Sequence, residues 1–288
     1  LLLAAPRWFA KEVQVGWIMQ VSNAFGQVQG AMSYFVDAYT TIAQWCSVVR
    51  RLDGFNRHVS EALDLKSDLI IDNASNIKVG IENVDVFLPN KNKDVLIKDC
   101  TIDLMKYQSL LIMGASGVGK STLLRTLAGL WPYAKGNVYL PKEEEFLFLP
   151  QRPYLPLGSL RQAISYPVVE EVISEKYNDE EIKEILIACK LENLADKLDI
   201  VDDWSRILSL GEQQRIAFAR ILLYRPEFVF LDEATSALDE DLEGNLYDML
   251  KIHLPNTKII SIAHRSSLIA KHQAILRLKE KGCWEIHE

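Results

Sequence analysis

The sequence predicts an α/β fold with a mainly parallel core sheet, an antiparallel β subdomain and a helical subdomain, all preceded by a long N-terminal helix. Three observations carry this expectation. Apolar runs of strand length at residues 109–113, 146–149, 228–231, 258–262 and 274–278 alternate with helical patterns at 120–130, 179–189, 211–223 and 239–253, as repeated βα units do. A glycine-rich turn at 114–119 joins the first of these strands to the first of these helices. Residues 13–36 form a run of 24 without a charge.

Taken in chain order, the uncharged run comes first. A helix of that length, at about 1.5 Å per residue, can cross a bilayer core of roughly 30 Å. Gln14, Gln20, Ser22, Asn23, Gln27, Gln29 and Ser33 interrupt its apolar character, and Gln20, Asn23 and Gln27 share one face at i, i+3, i+7. Ala24, Gly26, Gly30 and Ala31 allow close helix approach. Two readings stand on these residues: a membrane helix with its polar face toward an aqueous path, or an amphipathic core helix of a soluble domain. Trp8 and Trp17 at one end and Tyr39 and Trp45 at the other resemble interfacial belts. Arg50, Arg51 and Arg57 then place the C-terminal side in the cytoplasm under the positive-inside rule.

Residues 50–75 read as a helical extension and linker, with 66–76 polar and loop-like. Residues 77–87 and 95–104 alternate as strands around a polar turn at 89–93, which predicts an antiparallel hairpin. The expected organisation is therefore residues 1–66 as one unit, 67–76 as a linker and 77–288 as the α/β domain.

Composition narrows the class. The chain has 288 residues, 49% hydrophobic and 25% charged, with a net charge of −7, as an ordinary globular protein has. Residues 1–66 carry +1 and the remainder −8, a poor electrostatic match to nucleic acid. Cys46, Cys100, Cys189 and Cys283 are scattered without C-x-x-C spacing, which fits reduced thiols rather than a zinc site or disulfide framework. The opening residues, Leu1 onward, start within a hydrophobic run without a basic n-region or cleavage site, and read as part of a longer protein.

The chemistry sits in a few stretches. Residues 114–121 fit G-x-x-x-x-G-K-[ST] between a strand and a helix. Gly114, Gly117 and Gly119 let backbone N–H groups face phosphates, with Ser116, Val118 and Thr122 completing the cradle at a helix N-terminus. Lys120 is placed for the β- and γ-phosphates of ATP, and the Ser121 hydroxyl for Mg2+. Asp232 ends an apolar strand and is a second magnesium ligand; Glu233 beside it is the candidate general base. His264, beyond the next strand, is placed to reach the γ-phosphate. Gln151 follows residues 146–149 and is placed for Mg2+ or the attacking water. Ser209, Gly211 and Glu212 open a helix and form a second anion site. An ordinary helix cap by Ser209 is the alternative there.

Together these residues resemble an ATP-binding cassette (ABC) transporter subunit, over about residues 75–288. Residues 114–121 match its Walker A motif, Gln151 its Q-loop and 208–212 its signature; 228–233 match Walker B, 236–239 the D-loop and His264 the switch histidine. Gly129-Leu-Trp-Pro132, the 149–155 stretch with Gly158-Ser-Leu-Arg161, and Ser165-Tyr-Pro167 are similar to subfamily D, the peroxisomal fatty acyl-CoA transporters and their bacterial relatives. Residues 24–30 and 51–55 resemble the last membrane helix of the bacterial members and its cytoplasmic continuation.

The resemblance implies a half-transporter ATPase in a bacterial inner membrane, multi-pass, with its nucleotide-binding domain in the cytoplasm. It implies a homodimer in which Ser209, Gly211 and Glu212 of one copy close on ATP held by the other. Partners are then a second copy, membrane lipid and a transported substrate (acyl-CoA or fatty acid, peptide or cobalamin-like), and no nucleic acid. The pattern departs at Leu210 and Glu212, where the common signature has Gly and Gln. Leu88 stands where many relatives stack an aromatic ring on adenine. The alternatives are an ABC ATPase that is soluble or regulatory and does not transport.

Overall fold

The computed structural model describes residues 9–10, 14–63, 68–72, 78–89, 94–142, 145–168, 172 and 176–288. The chain divides into two units, Leu1–Leu65 and Lys66–Glu288.

In the first unit, helix α1 (Val15–Leu63) runs unbroken for 49 residues, about 74 Å at helical rise. It covers the uncharged run from Val15 onward; Val13 lies outside the described residues. No described helix is long and apolar enough to cross a membrane. Length is not what falls short. The polar residues between Gln20 and Ser33 dilute the apolar ones, and Phe25, Val28, Met32, Tyr39, Ile42 and Trp45 lie exposed along it.

The second unit opens with β1 (Asp68–Asp72), within the stretch expected to be a linker. It pairs in parallel with a later strand, and only Leu69 is buried. Strands β2 (Gly80–Phe87) and β3 (Val95–Asp103) form the expected antiparallel hairpin; the turn at 90–93 lies outside the described residues. Strand β4 (Ser109–Gly114) leads through the glycine turn to α2 (Lys120–Leu127). Strand β5 (Ala134–Tyr139) follows and completes a four-stranded sheet in the order β1-β5-β2-β3. Then come β6 (Phe146–Leu149), β7 (Gly158–Ser159), α3 (Leu160–Ser165) and α4 (Asp179–Ala188). They are followed by β8 (Val201–Asp202), α5 (Trp204–Ile207) and α6 (Leu210–Tyr224). The last elements are β9 (Phe228–Asp232), α7 (Glu240–His253), β10 (Lys258–Ile262), β11 (Ala274–Leu278) and β12 (Trp284–His287).

Six strands make the core sheet, in the order β12-β11-β4-β10-β9-β6. All its pairings are parallel except the edge pair of β11 and β12. Alternate residues of one strand serve opposite faces, so a sheet buried on both sides needs continuous apolar runs. Leu110, Ile112, Phe228, Phe230, Ile260 and Ile262 pack with α2 and the four-stranded sheet. Leu111, Val229, Leu231 and Ile259 pack with the helical side, including Phe218 of α6 and Tyr247 of α7. Each fully buried side chain of this size contributes about 1.5–3 kcal/mol, and the two cores clamp the sheet that carries the site. Cys100 and Cys189 are buried thiols, pushed up to about 12 by burial, and all four cysteines are free.

Candidate functional site

Strand register assembles the site. Ile112 of β4 pairs with Ile262 of β10, which pairs with Asp232 of β9; Leu231 pairs with Leu149 of β6. These strand ends are therefore level. One or two residues beyond them stand Gly114, His264, Glu233 and Gln151, all at the C-terminal edge where parallel sheets place ligands. Residues up to 150 apart in sequence converge because the strands are parallel and in register.

The glycine turn has the backbone that phosphate binding needs. Gly114, Gly117 and Gly119 have φ of 153°, 78° and 105°. A Cβ on Gly119 would lie 2.6 Å from Leu96 Cδ2, and one on Gly114 2.6 Å from the Leu278 carbonyl oxygen. Gly117 has open space around it, and Ser116 is exposed. Lys120, the first residue of α2, is buried and donates to the carbonyl oxygens of Gly114 (3.1 Å) and Ala115 (3.0 Å). Burial pulls its ammonium below the ordinary lysine value, and the Glu233 and Asp232 carboxylates partly offset this. An ammonium held by two carbonyls at the mouth of a glycine-rich turn is a donor that fits a polyphosphate. Val118 is half-buried against the core formed with the antiparallel sheet, and the Thr122 carbonyl accepts from Thr126.

Ser121 Oγ donates to Asp232 Oδ1 at 2.6 Å. Asp232 is buried, and its second oxygen accepts from Arg125 Nη2 at 3.2 Å. Hydroxyl and carboxylate oxygens at this separation fit a hard divalent cation that keeps most of its ligands from phosphate and water. No cluster of three or more His, Cys, Asp and Glu side chains gathers among the described residues. Arg125 was not singled out in the sequence. Its signal is its spacing: it lies one helical turn after Ser121 and so shares its face.

Glu233 leaves β9 with φ 51°, in the left-handed region. Its Oε1 lies 2.9 Å from His264 Nε2, with the histidine side chain half exposed and the carboxylate mostly buried. A general base needs both access to water and an orienting partner, and this pair has both. Gln151 is exposed, and its backbone carbonyl accepts from Gln214 Nε2 at 2.9 Å.

Ser209 caps α6 in a full capping box with Glu212. The Ser209 hydroxyl accepts from the Glu212 N–H at 3.3 Å and donates to Glu212 Oε2 at 2.7 Å. Hydrogen bonds from Ser209, then from Asn193, hold the Glu212 carboxyl below the usual range against the opposing effect of burial. A Cβ on Gly211 would sit 3.3 Å from the Ala237 carbonyl oxygen, so the start of α6 lies against the loop after Glu233. Leu210 is exposed. Leu88, just past β2, is exposed and donates its N–H to the Asp94 carbonyl. The apolar side chain against Gly119 is Leu96.

Residues 97–236 match the ABC transporter family and residues 1–60 the SbmA/BacA-like family. An uncharacterized ABC transporter ATP-binding protein of Haemophilus influenzae is 41% identical over 291 residues, covering 99% of this chain and 47% of that protein. ABC transporter D family member 2, chloroplastic, of Arabidopsis thaliana is 34% identical over 343 residues, covering 96% and 48%. The chain thus spans about half the length of these relatives. The structure of a bacterial Atm1-family ABC exporter with ATP bound superposes with a TM-score of 0.60 at 24% identity, over 73% of this chain and 39% of that one. That likeness shows a shared fold.

Proposed function

We propose that this chain is an ATP-hydrolysing subunit of the ABC transporter family, in line with the match over residues 97–236, and that it drives a membrane half-transporter that works as a homodimer. One observation carries the reading. Lys120, Ser121, Asp232, Glu233 and His264 meet at one edge of one sheet, while Ser209 caps a helix lying against the loop that follows Glu233.

In this reading the turn amides and Lys120, released from the Gly114 and Ala115 carbonyls, bind the phosphates. Ser121 and Asp232, with Gln151, hold Mg2+, which supplies charge neutralisation on the transferred phosphoryl group when bound. Glu233 takes the proton of the attacking water, and His264 orients that carboxylate and faces the γ-phosphate. Leu88 packs on adenine. Ser209, Gly211 and Glu212 of each copy are offered to the ATP held by the other. The first unit is the last helix of a multi-pass membrane region in a bacterial inner membrane, with the second unit in the cytoplasm. The SbmA/BacA-like match over residues 1–60, the exposed apolar side chains of α1 and Arg50, Arg51 and Arg57 support this. The cargo class is that of the subfamily resemblance: acyl-CoA or fatty acid, peptide or cobalamin-like.

Glu233→Gln should abolish phosphate release and trap an ATP-bound dimer on size exclusion; undiminished release removes Glu233 as base. In mixed dimers, Ser209→Arg in one copy should silence the site whose Lys120 belongs to the other copy. With Lys120→Ala as the matched knockout, loss confined to the same copy's site overturns the shared-site reading. Full-length protein recovered from cells without detergent would overturn the membrane assignment.

A further inference from the structure

Gln214 has no role in the site as described, yet its side chain is fully buried and makes hydrogen bonds to two separate segments of that site. Nε2 donates to the Gln151 carbonyl at 2.9 Å and to Ser236 Oγ at 3.2 Å. Oε1 accepts from the Ala237 N–H at 3.0 Å. Both N–H bonds and the carbonyl of the amide are thus engaged. The neighbouring Gln213 is a useful contrast. It is equally buried, but its Nε2 donates to the Ser205 and Leu208 carbonyls just upstream, which secures only the approach to α6. The bonds of Gln214 instead span 63, 22 and 23 residues.

The loop between β9 and α7 is held from the other side as well. Arg265 donates to the Leu238 carbonyl at 2.6 Å and to Glu243 at 3.2 Å, and Thr235 donates to Glu243. The segment after Gln151 is held a second time by α6, through Arg220 Nη2 to the Tyr154 carbonyl at 2.8 Å. Helix α6 therefore grips residues 151–154 at both ends and residues 236–237 through two bonds of one side chain. Its first turn carries Ser209 and Gly211.

We propose that Gln214 is a positioning residue. It ties the backbone at Gln151 and the loop after Glu233 to the helix that bears Ser209, so that a shift of α6 moves Glu233 and Gln151 with it. The proposal rests on Glu233 acting as the base and on Ser209 serving a second copy. In that setting an anion captured at Ser209 by one copy is felt at its own Glu233 through α6 and the bonds of Gln214 to Ser236 and Ala237, the Ser236 N–H donating in turn to the Glu233 carbonyl. A small displacement of a general base lowers turnover by as much as about 100-fold while leaving ground-state binding largely unchanged.

The test uses full-length protein with ATP and magnesium, alongside a non-hydrolysable ATP analogue for binding. Gln214→Leu fills nearly the same volume without the hydrogen bonds. It should lower kcat by about 10- to 100-fold, with analogue affinity within about threefold of wild type, and flatten cooperativity in ATP. A kcat within twofold of wild type, or loss of analogue affinity in step with kcat, overturns the proposal. If Gln214→Leu does not fold, Gln214→Glu retains the acceptor for Ala237 and loses both donors. Wild-type kcat in that variant overturns the proposal, and reduced kcat with retained analogue affinity supports it. Glu233→Gln is measured in parallel. Turnover by that variant would remove the catalytic reading itself, separately from any result at Gln214.

Discussion

One buried imidazole should make a separable contribution to acid sensitivity. His272 is mostly buried and follows the short 3-10 segment Ser266–Lys271. A carbonyl can only accept, so Nδ1–H donates to the Leu268 oxygen at 2.8 Å. Nε2 then accepts from Ser261 Oγ at 3.2 Å, and that oxygen accepts from the Tyr247 hydroxyl at 3.0 Å. The Tyr247 ring meets the imidazole edge to face at 5.3 Å. Burial, with the nearby Lys251 charge as a lesser cause, lowers the imidazole pKa to about 4, against an opposing hydrogen bond to Leu268.

The sign follows from proton counting. In the unfolded chain His272 binds a proton below about pH 6.5, and in the native state only below about pH 4. Between these values the unfolded state binds more protons, so stability is full above pH 6.5 and falls as pH drops toward 4. At about pH 5 the loss from this one residue is about 2 kcal/mol relative to about pH 7.5. Other groups titrate in the same window, so the measurement is a difference. Urea denaturation of wild type and His272→Gln, followed by tryptophan fluorescence at the two pH values, isolates it. Glutamine retains a donor for Leu268 and an acceptor for Ser261 but does not titrate. Wild type should lose about 2 kcal/mol more than the variant. Equal losses in both proteins would refute the buried neutral imidazole.

Other outcomes follow from particular contacts. Gly119→Ala forces a side chain into a left-handed backbone against Leu96; it should cost about 1–2 kcal/mol and weaken ATP binding at least tenfold by calorimetry, with residual fold intact by circular dichroism. Phe230→Ala opens a cavity between the core sheet and the antiparallel sheet and should cost about 3–5 kcal/mol in urea unfolding. Ser159→Ala removes the capping box of α3 and should cost about 1 kcal/mol, read in the same assay.

Much of the second unit was legible because its signals are local. The strands at 146–149, 258–262 and 274–278 coincide with β6, β10 and β11. Strands buried on both faces must be continuously apolar, and helices with one buried face must be periodic. What escaped was the periphery. β5 reads Ala-Lys-Gly-Asn-Val-Tyr, where Gly136 at φ 127° makes room for the Asn83 carbonyl. β1 and β12 are edge strands, satisfied by a neighbour on one side only, with little need for an apolar pattern. Helix α1 shows the converse limit. Its length was legible, but its polar residues keep it below the apolarity of a membrane span.

The sequence by itself determined the cradle and the acids: glycines at 114, 117 and 119, the lysine after them, and a carboxylate pair closing an apolar strand. Those are requirements of backbone conformation and charge, written at fixed spacing. Tertiary structure alone decided which of them meet. Register between β4, β10, β9 and β6 brings Gly114, His264, Glu233 and Gln151 to one edge. A buried amide at Gln214 joins segments far apart in sequence. Such contacts depend on strand order and long-range packing, and no pattern within a window of residues records them.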